Sequence, residues 1–325
     1  MNPSRPERHV VPDHTHLGTV IVAGAHKAGT TTLHAILARH PAIAMSVVKE
    51  TNRYCPDLWP LLSHLQRPTV AEIESLHAKG ETRHLGLIED EETYAHLFAS
   101  RPALRYRGEA SPFYLRSRLA AQEIARHHPD ARIIMVVRDP IERLLSHYAM
   151  EIRDARIPEP IERAIREEQA DIQKGQKPLH GLLDSGCYGE GLSRFLEHFP
   201  ADQMLVMDIS ELSNPEHLIT HIARFLGIDP SGFATLVPNQ NESVSARNPG
   251  LNRLLAQSGL KDLVRAWVPQ SLIDALKPLY YGPKAQNLSL DEDLRAELVA
   301  YFQKDLQKLE ALIGPKPWHW LRRYL

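Results

Sequence analysis

The sequence predicts an α/β fold in which a central parallel sheet is flanked by helices. Three observations predict it. Short apolar, β-branched runs alternate with segments of helical periodicity along the chain. The runs are continuously apolar rather than alternating, which suits strands buried on both faces. Two of them pass through a polar turn directly into a helix, the plan of a repeated βα unit in a doubly wound sheet.

The elements follow in order. Residues 1–18 are aperiodic and rich in Pro and His, so a poorly ordered leader is expected before a single domain spanning 19–325. TVIVAG (19–24) is a strand stopped by glycine, and TTTLHAILARHP (30–41) is a helix carrying Leu33, Ile36 and Leu37 on one face and ending before Pro41. AIAMS (42–46) is a second short strand. Residues 57–100 lack β-branched runs and read as helices and loops of an insertion. YRGEASP (106–112) is a strand running into a turn, followed by an amphipathic helix (115–129). ARIIMVVRDP (131–140) is the strongest strand, with five consecutive apolar residues from Ile133 to Val137, and a helix continues from it. A charged helix (161–175), a helix at 189–200, a strand at 202–212 and a helix at 215–228 come next. No strand is evident in the Asn-, Ser- and Arg-rich stretch 239–256. The tail is a long helix with Leu294, Leu298, Phe302, Leu306 and Leu309 at core spacing.

Composition excludes several classes of function. No run approaches the ~18–20 apolar residues that cross a bilayer, and the polar start lacks the apolar core of a secretory signal; a cytoplasmic protein with no membrane partner is expected. Cys55 and Cys187 cannot make a disulfide framework. With 38 Lys and Arg against 40 Asp and Glu, the formal charge is −2, without the basic excess of a nucleic-acid binder. Any anion must therefore be met locally. The 18 histidines read as surface and capping residues, and no metal site is expected. The sequence leaves the oligomeric state open.

Ligands of an open parallel sheet bind beyond the carboxyl ends of its strands. GAHKAGTTTL (24–33) occupies that place after the first strand, and its backbone amides, opening a helix, can hold a phosphate. Gly24 and Gly29 match the spacing of the first two glycines of GxxxxGK[ST], but Thr30 stands where that motif has lysine. The lysine is Lys27, inside the loop, where it meets the group attached directly to the cradled phosphate. That favours a nucleotide with one 5′-phosphate and one transferable group. At the end of the strong strand stand Arg138, Asp139, Arg143 and Ser146. An arginine aimed at the crevice with a nearby hydroxyl suits a phosphate monoester.

With these residues stated, GAHKAGTTTL resembles the 5′-phosphosulfate loop of sulfotransferases that use 3′-phosphoadenylyl sulfate (PAPS), and VVRDPIERLLSHY (136–148) resembles their 3′-phosphate motif. KETNRY (49–54), GEASPFYL (108–115) and CYGEGLSRFLEHFP (187–200) also fit, over about residues 19–320. The likeness is greatest to the bacterial and heparan-sulfate-type branch, and it implies a P-loop-like fold. The resemblance further implies that PAPS is the donor and 3′,5′-adenosine bisphosphate (PAP) the product, that no metal is required, and that the acceptor is a hydroxyl or amine of a small molecule or glycan. Carried over by position, Lys27 contacts the bridging oxygen and stabilises the leaving phosphate; Ala28, Gly29, Thr30, Thr31 and Thr32 hold the 5′-phosphate; Arg138 and Ser146 grip the 3′-phosphate; Glu50 is the general base, with Lys49 as a neighbour that could keep it ionised. Tyr188 corresponds to an aromatic near the adenine, and Arg247 lies where relatives place a loop covering the cofactor. Two departures stand out. Ala110 follows Glu109 where heparan-type enzymes have lysine, and Arg53 and Tyr54 replace an aromatic pair, which suggests an acceptor-facing stretch. The competing readings are a P-loop kinase or other ATP-using enzyme with Asp139 as Mg²⁺ ligand, and a nucleotide-binding protein without catalysis.

Overall fold

The structure, a computed structural model, describes residues 17–98, 105–154, 156–157, 160–233, 245–246, 281–282 and 290–325. Strand β1 (Gly18–Gly24) is central and fully buried from Val20 to Ala23. β2 (Ile43–Met45), β5 (Tyr106–Ala110), β6 (Arg132–Val137) and β7 (Met204–Asp208) complete a five-stranded sheet in the order β2-β5-β1-β6-β7, with every pairing parallel. β1 sits between β5 and β6, so the chain passes to one side of β1 for β2 and β5 and to the other for β6 and β7. The crevice of such a sheet opens at that reversal. A second, two-stranded parallel pair, β3 (Val48–Glu50) with β4 (Arg83–Leu85), projects from it. It was not foreseen in the sequence, because three-residue strands VKE and RHL carry no period to read.

The helices are α1 (Thr30–Leu37), α2 (Val70–Lys79), α3 (Glu91–His96), α4 (Ala120–His127), α5 (Pro140–Arg153), α6 (Ile161–Gln173), α7 (Tyr188–Leu196), α8 (Pro215–Leu226) and α9 (Glu292–Ile313). α9 buries the five apolar residues expected of it and packs on α7 and α5. Its Asp305 carboxylate accepts from the amides of Gly189 and Glu190, each at 2.8 Å, and so caps α7 from 115 residues away in sequence or more. The tail beyond α9 ties the strand ends together: Trp320 Nε1 donates to Asp208 at 2.7 Å, while Arg323 and Tyr324 donate to Asp139 at 2.9 and 3.0 Å. In the stretch expected to lack strands, Ser245–Ala246 makes a two-residue antiparallel bridge to Tyr281–Gly282. Among the described residues no helix is long and apolar enough to cross a membrane.

Candidate active site

The loop between β1 and α1 is anchored to the sheet by Ala25 N donating to Val136 O at 2.7 Å and closed by Ala28 N donating to Ala25 O at 3.1 Å. Gly29 is the residue before α1, with φ 93°, and no side chain caps the helix there. The first-turn amides thus lack a side-chain acceptor, and an anion is the natural partner of such a terminus. Ala28 and Thr30 are buried, Thr32 is half-buried and Thr31 is exposed, so the five positions form the wall of one turn rather than a set of outward-facing groups.

Lys27 is held at φ 63°, a left-handed conformation that costs a branched or bulky residue about 1–2 kcal/mol and persists where the surroundings impose it. Its Nζ lies 3.7 Å from Met150 Sδ on α5. Burial holds the ammonium below the usual lysine range; Arg153 pushes the same way, Asp154 and Glu50 oppose it, and Arg138 adds to the lowering. Met150, the residue the Lys27 ammonium approaches, lines the same cavity as Glu50. Ser146 is one helical turn before Met150 on α5, so the two share the face turned to Lys27.

Arg138, at the end of β6, is half-buried, and its side chain makes no hydrogen bond or ion pair with a described residue other than through space with its charged neighbours. Arg143 is different. It is fully buried and donates to Leu182 O and to His147 Nδ1, at 3.2 Å in the second case, which makes it a fold residue. Asp139 accepts from the amides of Ile141 and Glu142 at 2.9 and 3.2 Å while holding Arg323 and Tyr324. Both of its oxygens are engaged by the chain's own groups, an arrangement of a capping and tail-anchoring residue rather than of a Mg²⁺ ligand.

Glu50 ends β3, is 7% exposed, and forms an ion pair with the buried Lys49, whose ammonium turns to it and not to solvent. His84 Nε2 lies 3.7 Å from the same carboxylate oxygen. Glu50 lines a cavity of about 450 Å³, with His26, Phe113 and Met150 on its walls. His26, from the phosphate loop, meets His147 edge-on at 4.2 Å between ring centroids and stacks on Phe113 at 5.6 Å; its Nδ1 is buried without a partner. Burial first, then nearby cations, holds both histidines well below the usual imidazole pKa, so both are neutral at pH 7. His26 sits inside a motif the sequence made conspicuous, yet nothing in its spacing marked it as a cavity residue.

Arg53 and Tyr54, expected to face the acceptor, lie apart from the Glu50 cavity. Asn52 takes φ 52° and its amide donates to Glu50 O and Gly86 O at 3.3 and 3.0 Å, turning the chain away just after Glu50. Arg53 consequently donates to Glu89 O at 2.9 Å and pairs with Glu91, and Tyr54 OH bonds His128 Nε2 at 2.7 Å. Tyr188 is buried, with its hydroxyl donating to Arg138 O at 2.8 Å. It supports the arginine's backbone. Arg247 lies outside the described residues. At the Ala110 departure no lysine is substituted: Glu109 is fully buried and accepts from the hydroxyls of Thr51, Ser111, Tyr114 and Tyr94. Burial raises its pKa while those hydroxyls oppose the rise.

The histidines, read as surface and capping residues, include the buried His34, His40, His128 and His147. His217 and His221 stand four apart on α8, an HxxxH spacing, and both approach Glu211 Oε2, at 3.6 and 2.9 Å. That spacing was the available signal.

A profile of the Sulfotransferase family matches residues 19–231. The bifunctional heparan sulfate N-deacetylase/N-sulfotransferase 2 of Mus musculus is 28% identical over 219 residues, 65% of this chain and 22% of that protein, so the chain spans about a fifth of its length. The heparan sulfate glucosamine 3-O-sulfotransferase 3B1 of the same species is 30% identical over 129 residues, 37% of this chain and 30% of that protein. The crystal structure of a sulfotransferase from Alicyclobacillus acidocaldarius superposes with a TM-score of 0.65 at 25% identity, covering 93% of this chain and 98% of that one. A match that takes in all five strands of the parallel sheet, the loop after β1 and Glu50 settles the kinship: the chain belongs to the sulfotransferase family.

Proposed function

We propose that the protein transfers a sulfuryl group from PAPS to a hydroxyl or amine of a small-molecule or glycan acceptor. The placement of Lys27 and Glu50 carries this reading: the loop before the uncapped α1 brings the Lys27 ammonium 3.7 Å from Met150 Sδ, and Met150 and Glu50 line one cavity. The chain's own groups fit the donor. The α1 amides with Thr30 to Thr32 would receive its 5′-phosphate, Arg138 and Ser146 its 3′-phosphate, and Lys27 the oxygen between phosphate and sulfur. Bound PAPS supplies the sulfuryl group. Glu50 takes the acceptor's proton as the acceptor oxygen or nitrogen forms its bond to sulfur. Lys27 stabilises the phosphate oxygen that keeps the electron pair when its own bond to sulfur breaks.

The test is ligand-dependent melting of the purified chain. PAP at a hundred times its Kd stabilises a protein that binds it by about 2.7 kcal/mol, and ATP with Mg²⁺ at the same concentration is expected to do far less. Stabilisation by ATP with Mg²⁺ and none by PAP overturns the reading.

A further inference from the structure

We infer that the acceptor is a small apolar compound bearing a hydroxyl or amine, and not a polyanionic glycan. This rests on reading the Glu50 cavity as the acceptor site. Its apolar lining includes Leu58, Leu62, Leu65, Leu85 and Phe113, with the exposed Leu179. Most of its charged lining groups are tied up, with His180 and Arg156 on Glu151 and Arg153 on Asp154, while Glu50, His84 and the unpartnered Nδ1 of His26 also line it. A cavity with a leucine-rich lining and charges already matched within the chain suits a molecule that is mostly apolar with one polar group. A polyanion needs free cations, and the arginines here are already matched. Arg116 donates to Asp184 at 2.6 Å, Arg153 to Asp154 at 3.0 Å, and Arg156 pairs with Asp154 and Glu151 at 2.9 and 3.0 Å. The neutral His26 and His147 add no charge. A dry 150 Å³ cavity holds benzene, so about 450 Å³ accommodates roughly 18 heavy atoms.

Growth of an acceptor along an apolar wall gains about fourfold in affinity per buried methylene. The experiment gives the full chain PAPS with a series of linear primary alcohols from butanol to dodecanol, with 2-naphthol, and with an unsulfated glucosaminyl-uronic acid oligosaccharide. Product is read as a gain of ~80 Da, and PAP binding is measured alongside by calorimetry. We expect kcat/KM to climb several-fold per methylene and then level off, and the best apolar acceptor to exceed the oligosaccharide at least a hundredfold. Leu62→Asp should lower turnover of the long alcohols more than tenfold while leaving PAP affinity within twofold. If PAP binds and the oligosaccharide is preferred, or if neither class is turned over, the apolar assignment falls. If PAP itself does not bind, the donor reading fails instead.

A second, independent observation points to a metal site. We propose that Glu211, His217 and His221 bind one borderline divalent cation of the Zn²⁺ type. Their ligand atoms all lie within 4.8 Å of one another. Zn–N and Zn–O bonds of about 2.0–2.2 Å require only a small closure of that triangle and leave a fourth position for water. Glu211 is already oriented, because its other oxygen accepts from Asp208 N at 3.1 Å. It sits in the 3₁₀ turn Ile209–Ser213, whose Leu212 presses against Gly29, so the ion would fasten α8 to the turn backing the phosphate loop. Calorimetric titration of the chelator-treated protein with Zn²⁺ should give one site with micromolar affinity, weakened at least tenfold by His217→Ala and by Glu211→Gln. Co²⁺ should show a visible absorption band that the same variants lose. Zn²⁺ affinity unchanged in both variants, or weaker than about 1 mM, overturns the assignment.

Discussion

Replacing Gly29 with alanine tests whether the α1 amides are the phosphate site. At φ 93° an alanine pays the left-handed cost of about 1–2 kcal/mol. Its Cβ would also stand 2.3 Å from Leu212 Cδ1, where about 3.5–4.0 Å is comfortable. Leu212 can yield by leaving its rotamer, at about 0.5–1.5 kcal/mol, or the loop can move. The sum is about 2–3 kcal/mol. Gly80→Ala is the control: it follows α2 at φ 63° with nothing within 4 Å of a Cβ, so only the backbone strain of about 1 kcal/mol applies. For a chain of 325 residues the unfolding entropy makes 1 kcal/mol equivalent to about 1.5 °C, so Tm should fall about 3–4 °C in Gly29→Ala and about 1–2 °C in Gly80→Ala. Calorimetric titration with PAP should show at least tenfold weaker binding in the first and less than a twofold change in the second. Adding Leu212→Ala to Gly29→Ala removes the clash and should recover part of the affinity. If Gly29→Ala is destabilised as calculated yet binds PAP like the parent, the phosphate is held elsewhere.

Glu50→Gln removes the proton acceptor but keeps the shape; turnover should fall 10²–10⁴-fold with the PAP dissociation constant within twofold, and unchanged turnover would exclude Glu50 as base. Arg138→Ala should weaken PAP about 10–100-fold, the worth of a charge-assisted bond, while adenosine 5′-phosphate binds as before; equal losses for both ligands would detach Arg138 from the 3′-phosphate. Burial lowers His34 to about 4 and His128 to about 3, so both are neutral in the fold, whereas the unfolded chain protonates them near 6.5. Their contribution is complete above pH 6.5 and is lost as pH falls toward 4 and 3, by at most about 1.4 kcal/mol per pH unit for each. Urea midpoints between pH 7 and 4.5 should show that decline, and His128→Asn should flatten it.

The sheet was legible because its strands are buried on both faces. Continuous apolar runs such as IIMVV have no other use in a chain this polar; β1 and β5 lie within a residue or two of their expected bounds, while β6 and β7 end three and four residues sooner. Contacts between distant segments were not legible. Nothing local in GEGLSRF says that Asp305 caps its helix, and nothing in RDP says that the last residues of the chain occupy Asp139. The HxxxH pair on α8 was local and readable, but its third partner, Glu211, comes from the preceding turn and needed the fold.

Glu50 and its neighbours show how residues three or four apart in one motif come to lie in different surroundings. β3 is only three residues long, and its pairing with β4 fixes Glu50 against Leu85, so the carboxylate's position is set by backbone hydrogen bonds and the buried Lys49. The next residues answer to a different constraint. Asn52 enters the left-handed region, which its short amide tolerates because it can bond back to Glu50 O and Gly86 O. From there Tyr54 is drawn into a ring cluster with Tyr94, Tyr114 and His128, and Arg53 lies over Tyr94 with its guanidinium 5.3 Å from the ring centre. A strand's period of two would have carried residues 53 and 54 along the cavity; one asparagine at positive φ redirects them into the core. Leu58, Leu62 and Leu65, a few residues further on, line the cavity instead, and their spacing reads as ordinary core packing until the cavity is seen beside them.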